Sequence, residues 1–121
     1  MPKVIIDSAK GLHQVAGSGP QVTVNGTVPT IALTNGSGGG APVATIESQS
    51  TDMAGIINVT TQLENTDTLV VTFAEQYESV PVVVVTSLTN YKVTSTVSNF
   101  TVTATGNTGT GELHYLAVRS V

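Results

Sequence analysis

The chain has no cysteine and no tryptophan, and charged residues make up only 10% of it. Without cysteine, neither a disulfide nor a thiolate metal site can hold it together, and the redox compartment leaves no mark. The only basic residues are Lys3, Lys10, Lys92 and Arg119, against a net charge of −4. They form no stripe for phosphates, so no nucleic-acid partner is expected. No apolar run approaches a membrane span, so no membrane partner is expected either. The start, Met1-Pro-Lys-Val-Ile-Ile-Asp7, lacks the long apolar core of a signal peptide, which points to synthesis in a cytoplasm. Aromatics are 4%, too sparse for a stacking platform. The shortage of charge does not mean disorder, because disordered chains pair high charge with low hydrophobicity. Here the mean hydropathy is +0.23.

What is present is valine and threonine, both stiff at χ1 and suited to a pleated surface. No segment sustains a helical period. The best candidate, residues 52–62, carries Gly55 and then β-branched residues, which reads as a turn followed by a strand. Residues 69–73 and 80–87 read as two strands. The second, Pro81-Val-Val-Val-Val-Thr-Ser87, is apolar on both faces and needs cover on both. Further strands are expected at 43–47, 56–60, 92–97, 99–105 and 112–118. In 99–105, Phe100, Val102 and Ala104 alternate with Thr101, Thr103 and Thr105, the pattern of a strand with one face inward. Leu113, Tyr115 and Ala117 repeat it. The expected fold is all-β: an antiparallel β-sandwich of about seven strands with an extended N-terminal arm.

The arm is the first region. Short extended pieces are expected at 3–6, 11–15, 21–24 and 30–33, each too brief to hold a core. Asn35-Gly-Ser-Gly-Gly-Gly-Ala-Pro42 then reads as a flexible linker. The expected division is an arm with its linker over 1–40 and a sandwich domain over 41–121. Within the valine strand, Val82 and Val84 are assigned to the core and Val83 and Val85 to a subunit contact, although alternation alone permits the reverse. His114, Leu116 and Val118 alternate with core residues and leave apolar surface outside. Such surface marks an interface, and a homotrimer packing sheet to sheet would hide it. The expected oligomer contact is Val83, Val85, His114, Leu116 and Val118.

Candidate chemistry is thin. His13 and His114 could bind a metal only with carboxylates such as Asp7, Glu112 or Asp52, and they lack ligand spacing. Serines are abundant, but no Gly-x-Ser-x-Gly elbow occurs. Gly36-Ser-Gly-Gly-Gly40 lacks the Gly-Lys-Ser/Thr ending of a phosphate loop. Glu75 and Glu78 fall in a connection expected to be solvated, and Glu64 and Asp67 sit in another loop. Tyr77 and Tyr91 fall near loops and are expected to pack the sandwich ends. No catalytic residue, metal or cofactor is therefore assigned, and no enzymatic activity is expected.

Several runs resemble phage virion proteins: Ser50-Thr-Asp-Met-Ala-Gly-Ile-Ile-Asn-Val-Thr60, then Phe73, Tyr77 and Val80-Pro81-Val-Val-Val-Val85, then Asn99 to Thr105 and Tyr115 to Val118. Trimeric β-sandwich modules of tail fibres, head fibres and capsid decoration proteins have this order. H-type lectins are similar in their Phe, Pro-Val-Val and terminal Tyr-Ala layout, but their sugar ligands find no matching positions here. The resemblance spans about residues 43–119. It implies a virion location and a trimeric capsid decoration (cement) protein bound to the major capsid protein or another virion protein. The arm, with Lys3, Ile5, Lys10, Leu12 and Val15, would staple the shell. The alternative it implies is a tail-fibre or spike tip that binds a host glycan.

Overall fold

The computed structural model describes residues 26–36 and 39–118, and the backbone alone of 3–7 and 11–15. All of its regular structure is strand. In chain order these are β1 (Lys3–Asp7), β2 (Gly11–Val15), β3 (Thr30–Thr34), β4 (Val43–Ile46), β5 (Ala54–Thr61), β6 (Thr68–Thr72), β7 (Val82–Thr86), β8 (Tyr91–Ser95), β9 (Asn99–Ala104) and β10 (Gly111–Val118). Strands β1 and β2 pair only with each other. The remaining strands form two four-stranded sheets, ordered β4-β5-β10-β7 and β3-β6-β9-β8. Every pairing is antiparallel.

The sandwich follows from alternation. In β9, Phe100, Val102 and Ala104 are buried. They meet Leu69 and Val71 of β6 in the same sheet, and Ile57, Val59, Leu113, Tyr115 and Ala117 from the facing sheet. Their threonine neighbours point out. Cross-strand rows on the outer side of the β9 sheet run Thr34–Thr68–Thr103–Lys92 and Ala32–Val70–Thr101–Thr94. Threonine suits this place because its methyl packs laterally while its hydroxyl meets water.

The strand directions define two ends. Thr30 pairs with Thr72, and Val118 pairs with Val82. The chain therefore enters the sandwich and completes its last strand at one end, beside the connections 47–53, 73–81 and 96–98. The far end carries 35–42, 62–67, 87–90 and 105–110.

Where β7 and β8 approach, β8 side chains cap the free edge of β7. Ser95 donates to the Pro81 carbonyl at 3.0 Å. The Tyr91 hydroxyl donates to Val85 at 3.2 Å and Ser87 at 2.9 Å. An uncapped valine edge would invite pairing with another chain.

Two expectations are corrected. Residues 30–34, assigned to the arm, are the edge strand β3 of the sandwich, with Ile31 and Leu33 packed against the core. The glycine-rich run is consequently a connection between the two sheets. Two of its described residues are held: Gly36 N–H donates to Asp67 Oδ1 at 2.6 Å, and Gly39 N–H to Glu64 Oε2 at 2.5 Å. The valine faces are reversed. Val83 and Val85 pack against the core, while Val82 and Val84 are exposed. The cause is register: Val85 lies opposite Tyr115 and Val83 opposite Ala117, both core residues of β10.

Candidate interaction face and entry-end cleft

The outer side of the β10 sheet carries the exposed apolar surface. Along β10, outward positions run from Glu112 at the far end through His114 and Leu116 to Val118 at the entry end. Glu112 lies level with Asn58 of β5, and His114 lies between Ile56 and Thr86. Leu116 lies between Ala54 and Val84, and Val118 beside Val82. Along β10 and β7 the face therefore grades from polar to apolar, while Val43, at the far end of β4, is 49% exposed. Val82 is 63% exposed, Val84 51%, Leu116 47% and Val118 45%. Val80, in the connection leading to β7, is 56% exposed. Apolar side chains exposed together on adjacent strands make this face a candidate interaction surface.

The polar half of the face is internally bonded. Asn58 Nδ2–H donates to Glu47 Oε1 at 2.7 Å. His114 Nε2 lies 3.8 Å from Glu112 Oε1, both side chains half exposed. A groove of about 420 Å³ runs between Glu47, Gln49, Ile56 and His114. Of the expected contact residues, His114, Leu116 and Val118 share this face. Val83 and Val85 do not, and Val82 and Val84 stand in their place. The arm residues Lys3, Ile5, Lys10, Leu12 and Val15, like His13 and Asp7, lie outside the residues whose side chains are described.

A second feature sits at the entry end. Residues 26–27, 51–53 and 74–77 line a cleft of about 470 Å³. Tyr77 is the aromatic in its lining, and behind it the buried Phe73 meets the Tyr77 ring edge to face at 4.8 Å. The chain of rings continues through Phe100 to Tyr115, with centroids 6.0 and 5.2 Å apart. The Asp52 carboxylate accepts the N–H groups of Ala74 at 2.7 Å and Glu75 at 2.9 Å. The Tyr77 hydroxyl donates to the Asp52 carbonyl at 3.1 Å, and the Tyr115 hydroxyl to the Thr51 carbonyl at 2.5 Å. Both phenols hold their protons above the usual range. Burial is the main cause, followed by the negative charge of Asp52.

These bonds answer the sequence candidates. Asp52 pins two turns together. Tyr77 packs the entry end, and Tyr91 caps the edge of β7. Asp67, expected in a loop, is fully buried and accepts the Gly36 and Glu64 N–H groups. No group of three histidine, aspartate or glutamate residues is placed to bind a metal among the described residues. The roles of Asp52 and Asp67 had one sequence signal, an aspartate in a turn that can accept amide protons. Their partners, 22 and 31 positions away in sequence, had none.

Compared with family models, with curated proteins and with solved structures, the chain matches none.

Proposed function

We propose that this protein is a structural component of a bacteriophage virion: a homotrimer that associates through the outer face of the β10 sheet and decorates the capsid. The carrying observation is the block of Val82, Val84, Leu116 and Val118, 45–63% exposed on adjacent strands. Water penalises that surface at roughly 25 cal/mol per Å². A sandwich with so few charges has little other means of holding a partner. The N-terminal residues, with Lys3 and Lys10, serve as the shell-binding arm. Three linked arms multiply weak single contacts through effective concentration. The work is adhesive rather than catalytic, and the major capsid protein or another virion protein is the partner.

The test has two parts. The free protein should have the mass of a trimer by light scattering; a monomer at every concentration would count against the reading. It should also sediment with shells assembled without it, and a truncated chain beginning at Gly26 should not. Shells that leave the full-length protein in the supernatant would sink the decoration role.

The entry-end cleft favours a second reading, a fibre or spike tip that binds a host glycan. Its tyrosine floor beside Thr27, Glu75 and Gln76 offers an apolar wall with polar groups, as small-ligand sites do. Glycan binding lost in Tyr77→Ala, with no shell binding, would select it.

A further inference from the structure

We propose that copies of this chain pack on the outer face of the β10 sheet side by side with the same end together, so that all their N-terminal segments issue from one end. This deepens the self-association reading and rests on it. Along β10 and β7 that face is graded from one end to the other. Glu112 and Asn58 form its far-end level, with Glu47 bonded to Asn58. His114 with Thr86 comes next, then Leu116 with Val84, then Val118 with Val82.

Size decides how much of the face must engage. Four strands spaced about 4.8 Å apart and an eight-residue strand give a face roughly 19 Å by 26 Å, on the order of 500 Å² in projection. A stable interface takes about 800 Å² of accessible surface from each partner. The apolar half alone is too small, so the contact must extend over the polar levels.

Two orientations then differ sharply. An opposed copy, overlaid on the whole face, sets Glu112 of each copy against Val118 of the other. That strips water from carboxylates and returns no hydrogen bond. A same-end copy sets Val118, Val82, Leu116 and Val84 against their like. It also brings His114 of one copy level with the Glu112–His114 pair of the next, so the polar rows meet groups that can bond them. The face is self-complementary in one orientation only. Because residue 26 begins the described sandwich at the apolar end, the segments before it then leave as a cluster.

The absence of cysteine makes the test clean. Val118→Cys marks the entry end, and Glu112→Cys the far end. They lie on one strand, about 20 Å apart, and both are exposed. Each variant is first shown to keep the mass of the unsubstituted protein, with Asn58→Cys as a second far-end marker. The two variants, one bearing a mass tag, are mixed, allowed to exchange, and joined with a bis-maleimide of about 8 Å reach. Same-site links are expected to exceed mixed links at least tenfold. Mixed Val118–Glu112 links in excess would overturn the arrangement while leaving self-association intact. A monomeric mass for the unsubstituted protein would overturn self-association and the arrangement with it.

Discussion

Tyr115 illustrates how much one residue can hold. Its ring is part of the core, 4% exposed, against Phe100. Its hydroxyl reaches the Thr51 carbonyl across 64 positions of sequence. Alternation along β10 places the ring inward, but nothing in the sequence names the acceptor. Replacing it with phenylalanine leaves that buried carbonyl unpaired, and urea denaturation should register a loss of about 1–2 kcal/mol. The phenol also sets an alkaline limit. Burial, aided by the Asp52 charge, raises its pKa above the ordinary value of 10.0. The folded state therefore keeps the proton at a pH where the unfolded chain releases it. This contribution is complete below about pH 10 and drains away as pH rises from there toward the folded value. Denaturant midpoints measured from pH 9 to pH 11 should fall, and less steeply in Tyr115→Phe. Beside the phenol lies Gly55, where a Cβ would sit 2.5 Å from both the Ser50 Cβ and the Tyr115 hydroxyl oxygen. Gly55→Ala should therefore cost about 1–3 kcal/mol through overpacking, read from the same denaturation curves.

At the scale of the element, the sequence reveals strands whose two faces differ and conceals those whose faces match. Phe100, Val102 and Ala104 against threonines fix the phase of β9, and Leu113, Tyr115 and Ala117 fix β10. β7 is valine at four successive positions, so its phase comes only from the partner it meets. The face of Val82 and Val84 was thus open until pairing with β10 set it. The entry-end cleft was hidden for a related reason, since it is assembled from loops distant in sequence. β3 was obscured differently. Its five residues carry two inward aliphatics, and the glycine-rich run after it has the composition of a linker. What holds its start at Gly36 is a carboxylate from elsewhere in the chain. Asp67 accepts Gly36 N–H at one oxygen and Glu64 N–H at the other. In Asp67→Asn one oxygen becomes an NH₂ group that faces an N–H donor. The expected loss is about 1–3 kcal/mol. Amide hydrogen exchange should quicken at Gly36 or Glu64 but stay slow in β9.

For the whole molecule, the membership of β3 moves the boundary of the independently folding part. The sequence suggested that the sandwich begins at residue 41, but pairing of β3 with β6 places its beginning before Pro29, which is itself buried. Two truncations separate these alternatives. A chain beginning at Gly26 keeps both four-stranded sheets and should unfold cooperatively, with a midpoint close to that of the full-length protein. A chain beginning at Val43 loses β3. It also loses the cover that Ile31 and Leu33 give the core, about 3 kcal/mol for two partly buried aliphatics. The cost does not end there, because β6 becomes an edge strand with unpaired amides between Leu69 and Val71, the condition for edge-to-edge association. The shorter chain should melt lower and form large aggregates by light scattering. Should it instead melt with the full-length midpoint and keep its mass, β3 would be a passive appendage. If both truncations behave as expected, loss of shell binding from the Gly26 chain can be assigned to the removed arm, because its sandwich is intact, whereas loss from the Val43 chain would report only a damaged fold.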